Sequence, residues 1–191
     1  MTAKLDIFKS FIIIPSVLKL ENFDAALNSK SGIVLLTDVN IGNLQPLVSR
    51  CHQKNKLAFV NIDLVGGLSN DQIGIRLLKN LFKVDGITSS NSANVNFSKS
   101  IGLYAVQRFF LIDSRSLRSG LNVLKATKSD AIEILPGPLA IKFKDLIKEV
   151  KDVHLIGGGF IEDKDSVIKI YHAGFSGVTT SNRYLWNSFT F

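Results

Sequence analysis

Residues 131–159 read AIEILPGPLAIKFKDLIKEVKDVHLIGGG, and the fold is decided in this stretch. Ala131–Pro136 is apolar on consecutive positions apart from Glu133, the pattern of a strand covered on both faces. From Pro138 to Val150 the apolar residues Ile141, Leu146 and Ile147 fall at helical spacing. His154–Gly159 is a second short apolar run, closed by three glycines. Strand, helix and strand in direct succession make a parallel βαβ unit.

The same theme extends in both directions. Strands are expected at Phe11–Ile14, Ile33–Thr37, Leu57–Asp63, Gly86–Ser90, Tyr104–Phe110 and Gly177–Ser181. Helical spacing recurs in Glu21–Asn28, Asn43–His52, Ser69–Phe82, the segment carrying Leu117, Leu121 and Leu124, and Asp163–Ala173. Ser69 or Asn70, and Ser114 or Ser116, are candidate helix caps. Eight such units predict a small (β/α)8 barrel of the TIM type, with a stub, Asn182 to about Trp186, as the last helix. The competing architecture is an open doubly wound sheet. No Pro/Ser-rich linker divides the chain, so residues 1–191 read as a single barrel domain. The polar run Ser89–Asn94 reads as a loop.

Of the 191 residues, 46% are hydrophobic and 20% charged, which excludes a disordered chain and suits one core. A single Cys excludes a disulfide framework or a Cys-rich zinc site and fits a reducing, cytoplasmic compartment. The run Phe11–Ile14 stops at Pro15, far short of the ~20 apolar residues of a membrane span. It is also too short for a signal peptide. No membrane partner is therefore expected. The formal charge of +7 favours an anionic partner, a nucleic acid or a phosphorylated ligand.

In a barrel the working face lies at the carboxyl ends of the strands. There the chain places Gly157-Gly158-Gly159 and Thr180-Ser181-Asn182. Gly158 and Gly159 let the backbone approach an anion, and a stub helix begun near Ser181 would aim its N-terminus at the same point. These residues, with Thr180, form the expected phosphate cup. Asp63 and Glu133 are carboxylates in apolar runs. They fit three roles: general acid and base, holders of ligand hydroxyls, or ion-pair partners of Arg108. Arg108 is expected to meet Glu133, a ligand phosphate, or both. No Lys stands at a strand's carboxyl end to form a Schiff base. His52 and His172 fall on helices, and His154 opens a strand at the opposite end, so no imidazole metal site is expected. Cys51 reads as a packed thiol. Lys99, Arg108, Arg115, Arg118, Lys125 and Lys128 face one acid, Asp113, between residues 99 and 128. Arg115 and Arg118 share a helix face, either a solvated one or one that tracks a nucleic-acid backbone.

Seven strings, in order, resemble the glycerol-uptake operon antiterminators, which respond to glycerol 3-phosphate. They are IIIPSV (12–17), NIDLVGGL (61–68), DGITSSN (85–91), VQRFFLIDSRSL (106–117), EILPG (133–137), IGGGFI (156–161) and TTSNRYLW (179–186). The resemblance implies a barrel that takes glycerol 3-phosphate as effector, with no other cofactor, and that binds a leader mRNA and prevents termination rather than catalysing a reaction. On that reading Asp63, Arg108, Glu133, Gly158, Gly159, Thr180 and Ser181 hold the ligand, and Lys99, Arg115 and Arg118 meet RNA. The chain departs from the family at Ser90-Asn91, where a Lys is usual, and at Asn61 and Gly66, where His and Glu are. The alternative is a lyase or isomerase of a small phosphorylated sugar or polyol that uses Asp63 or Glu133.

Overall fold

The computed structural model describes residues 5–150 and 152–189, so the ends of the single domain expected over 1–191 lie outside the described residues. Eight parallel strands close into a barrel in chain order: β1 Ile12–Val17, β2 Ile33–Leu36, β3 Leu57–Asn61, β4 Gly86–Ser89, β5 Tyr104–Phe110, β6 Ala131–Leu135, β7 His154–Gly158 and β8 Gly177–Thr180. Closure is made by β8 against β1, in register from Ile12↔Gly177 to Pro15↔Thr180. This pairing removes both sheet edges, and with them the open-sheet alternative. The helices are α1 Phe23–Leu27, α2 Leu44–Gln53, α3 Gln72–Asn80, α4 Ser92–Ser100, α5 Ser114–Ala126, α6 Gly137–Val150 and α7 Lys164–His172.

Strand alternation divides the apolar residues into two cores. Ile14, Ile33, Leu35, Phe59, Val106, Ala131 and Ile156 point inward and fill the barrel. Phe8 joins them and is almost wholly buried, so the segment before β1 stoppers the amino-terminal end. The other residues of each strand pack outward against the helices, as Val60, Ile87, Ile132 and Ile134 do. Cys51 lies in this outer layer, fully buried, and burial pushes its thiol up to about 12.

Several boundaries differ from the sequence reading. β1 runs through Pro15 to Val17, because a proline's fixed φ suits an extended strand and the loss of one ladder donor is tolerated near a strand end. β3 ends at Asn61, and Ile62–Leu64 form a 3-10 turn held by Asp63 N–H donating to Asn61 Oδ1. The residues from 92 read as part of a loop open helix α4, whose Asn91 cap accepts from Ala93 N–H. Helix α3 is capped by Asp71, and α5 by Asp113, with Ser116 completing a reciprocal box from the third helical position. After β8 no helix forms among the described residues. Residues 183–187 make turns, with Leu185 N–H donating to Asn182 O and Ser188 N–H to Leu185 O. So short a segment gives too few bonds to repay helix nucleation. It is held instead by burial of Leu185 and Trp186 and by the Trp186 Nε1–H bond to Thr180 O at 2.9 Å.

Candidate functional site

A cavity of about 420 Å³ opens at the carboxyl ends of the strands. Its floor and walls include Ser16, Thr37, Asn61, Arg108, Glu133 and Thr179, and its rim runs from Gly159 to Glu162 and from Thr180 to Asn182. The floor residues take the inward positions of their strands, two residues beyond the apolar filling: Ser16 after Ile14, Asn61 after Phe59, Arg108 after Val106, Glu133 after Ala131. The inner face thus turns from hydrocarbon to polar at one level.

The centre of this polar layer is Glu133, which is 2% exposed. Arg108 lies opposite it in the β5–β6 register and donates from Nε to Glu133 Oε2 at 2.8 Å. Thr179 Oγ1 donates to Glu133 Oε1 from β8, across the intervening β7. A buried carboxylate needs this partnering, since an unpaired one would carry the full cost of leaving water. The Arg108 guanidinium also rests over the Phe110 ring, 5.2 Å from its centre. Its Nη groups make no hydrogen bond among the described residues, while the side chain lines the cavity. Arg108 is therefore positioned by its Nε and its stacked face, with its Nη donors uncommitted.

Gly158 is the last residue of β7, at the expected carboxyl end, but it is not among the residues that line the cavity. A Cβ there would stand 2.5 Å from Glu133 Oε1 and 2.8 Å from Thr179 Oγ1. Its missing side chain is the space in which Glu133 and Thr179 meet. Gly159 does reach the rim, with φ +68°, and Phe160 follows at φ +55° and is 74% exposed. A left-handed Phe is strained, and both residues of this turn line the mouth. Thr180 lines the rim but spends its hydroxyl on the loops: Oγ1 donates to Ile161 O and accepts from Asn182 N–H. Ser181 stands beside it at the mouth.

Asp63 is not in the cavity. It sits on the 3-10 turn after β3, where its carboxylate accepts from Ser89 Oγ at 2.6 Å, Ser90 N–H at 2.7 Å, Ser90 Oγ and Asn70 Nδ2. Burial alone would raise its pKa, but these bonds outweigh it and hold the carboxyl below its ordinary range. Its work is to tie the β3 and β4 loops together. The basic residues are also separated. Arg115 and Arg118 are exposed on the first turns of α5, near the mouth. Lys99 ends α4 at the opposite end of the barrel and pairs with Asp130. Asn61, Ser16 and Thr179 were missed from sequence, because an inward polar residue is recognisable only once strand parity is known. Among the described residues no group of three His, Cys, Asp or Glu could hold a metal ion. No helix among them is long and apolar enough to cross a membrane.

A closed eight-stranded parallel barrel with a polar, arginine-bearing cavity at its mouth defines a TIM-type (β/α)8 domain. Residues 13–186 match the family model described as glycerol-3-phosphate responsive antiterminator, and the chain belongs to that family. It is similar to the glycerol uptake operon antiterminator regulatory protein of Listeria monocytogenes, with 28% identity, a TM-score of 0.87 and coverage of 93% of this chain and 96% of that one. A glycerol uptake operon antiterminator-related protein from Thermotoga maritima superposes with a TM-score of 0.82 at 26% identity, over 93% and 98% of the two chains. The uncharacterized protein YgcP of Escherichia coli is 27% identical over 91% of each chain.

Proposed function

We propose that this protein is a cytoplasmic, RNA-binding antiterminator that takes glycerol 3-phosphate in the mouth cavity. In this reading it acts on the leader of transcripts for glycerol catabolism. The observation that carries it is Arg108, which lines the cavity, fixed by Glu133 and Phe110, with its Nη donors unbonded among the described residues. Arg is suited to phosphate because its planar fork of donors matches the geometry of the anion. The phosphate is received by Arg108, by main-chain N–H groups of the Gly159–Phe160 turn and by Ser181. The glycerol hydroxyls fall to the polar floor, with Asn61, Ser16 and Thr37 as partners. Glu133 acts mainly as the counter-charge that orients Arg108. The alternative lyase or isomerase reading uses Asp63 or Glu133; Asp63 is bonded to Ser89 and Ser90 outside the cavity lining, which leaves Glu133, already paired with Arg108, as the one of the two carboxylates that lines the cavity.

Calorimetry tests the ligand half. Wild type is expected to bind glycerol 3-phosphate and not glycerol, and Ser181→Asp to lose binding by charge repulsion. Equal binding by wild type and Ser181→Asp would refute the site. Filter binding with leader RNA tests the other half, with affinity expected to fall as salt rises.

A further inference from the structure

The chain's positive charge is not spread over the barrel. Of its 23 Lys and Arg and 16 Asp and Glu, residues 72–129 hold nine and two, and the remainder holds fourteen of each. The whole formal excess of +7 therefore resides in the segment that builds α3, α4 and α5, three consecutive helices on one flank. None of the three contains an acidic residue. The two acids of the segment are spent on the fold: Asp113 caps α5, and Asp85 accepts from Ala58 N–H and pairs with His52.

The flank is continuous. Arg76 of α3 lies over the Phe97 ring of α4 at 5.1 Å, Lys79 Nζ donates to Ile101 O, and Lys128 N–H, just past α5, donates to Asn96 of α4 at 2.6 Å. Along α5, Arg115, Arg118, Asn122 and Lys125 follow one another at three- and four-residue steps, so they form one stripe. All four are exposed, as is Lys128 beyond them. The stripe from Arg115 to Lys125 is about 15 Å long. Among the described residues none of these cations forms a salt bridge.

The geometry points to this flank, rather than the mouth, as the RNA surface, and to the phosphate backbone of a paired RNA stem as what it holds. The inference rests on the RNA-binding reading above and assigns it a place and a target. A run of exposed donors with no acid among them suits a row of phosphates. Recognition of unpaired bases uses exposed aromatic faces. The one aromatic residue in these helices, Phe97, is half-buried beneath Arg76. The surface is therefore built for backbone and shape.

The test is fluorescence anisotropy with two labelled probes, an RNA hairpin of unrelated sequence and an unstructured RNA of equal length, over a salt series. Wild type is expected to prefer the hairpin. The variant Arg115→Ala, Arg118→Ala, Lys125→Ala, Lys128→Ala is expected to lose at least tenfold in affinity. Its dependence of log affinity on log salt should flatten by about three to four, near one per phosphate contact removed. Lys142→Ala, Lys148→Ala, Lys164→Ala, Lys169→Ala removes the same charge from α6 and α7 and is expected to lose less than threefold. Unchanged affinity and slope in the α5 variant, an equal loss in the control, or preference for the unstructured probe would each overturn the assignment. Wild type binding neither probe would instead remove the RNA-binding reading on which it stands. Retained glycerol 3-phosphate binding by the α5 variant shows that it is folded.

Discussion

Glu133 and Arg108 form a unit in which neither side chain is stable without the other. Removing the cation from a buried carboxylate costs about 3–5 kcal/mol, because the remaining charge keeps its desolvation penalty and loses its partner. Arg108→Ala is therefore expected to lower unfolding stability in urea at neutral pH by about 3 kcal/mol. Glu133→Ala in the same background is expected to recover part of the loss, and an additive double variant would show that the pair is not coupled. Asp63 gives a pH prediction. Its folded pKa lies below the unfolded value, so its contribution is present above that value and lost as pH falls through the folded one. Asp63→Asn should flatten the acid side of the stability-versus-pH curve in that window, and urea midpoints across a pH series measure it. These residues were legible to different degrees for one reason. A charge inside an apolar strand marks itself, so Glu133 and Arg108 were readable and their pairing was among the expected outcomes. Asp63 stands at the carboxyl end of β3 as expected, but nothing in LAFVNID shows that the strand stops at Asn61 and that the next residues turn away from the cavity lining. Asn61 and Thr179 carry no mark at all until the inward parity of their strands is known.

At the level of elements, the packing of α5 on β5 depends on one absent side chain. A Cβ on Gly120 would stand 2.0 Å from Cε2 of Phe109, which neighbours Arg108 in β5. In a free helix Gly→Ala is favourable by about 1 kcal/mol. Here the ring of Phe109 is buried and the overpacking term, about 1–3 kcal/mol, opposes that gain. Gly120→Ala is expected to be net destabilising by about 1 kcal/mol, lowering the thermal midpoint by roughly 2–4 °C in a domain of this size. A rise in midpoint would mean that the helix and ring separate freely. The elements that were readable were those whose own apolar period closes a face: α3, α5, α6 and α7. Helix α4 was not, because SANVNFSKS is largely polar. Its start depends on the Asn91 cap, and its buried residues include Asn94 and Ser98 beside Val95. The terminal stub failed in the opposite direction. Helical spacing was available in NRYLW, but anchorage of Trp186 to Thr180 O decides the backbone there.

Across the whole molecule, eight alternating units made closure readable, since parallel strands buried on both faces have few other ways to finish. What the alternation does not contain is the relation between the two surfaces, which depends on how the helices are placed around the barrel. The cavity mouth lies at the carboxyl ends of the strands, and the basic flank runs down α3 to α5. β5 belongs to both, carrying Arg108 into the cavity and Phe109 against α5. If glycerol 3-phosphate changes RNA affinity, the coupling is a free energy shared by the two sites and must be reciprocal. Whatever factor the ligand contributes to hairpin affinity in anisotropy, saturating hairpin is expected to contribute to ligand affinity in calorimetry. A fivefold effect corresponds to about 1 kcal/mol. Gly120→Ala is expected to reduce this factor while leaving ligand affinity in the absence of RNA within about threefold, because it disturbs the α5–β5 contact and not the cavity lining. An unchanged factor in that variant would place the coupling elsewhere, and unequal factors in the two titrations would mean that the sites are not linked through one equilibrium.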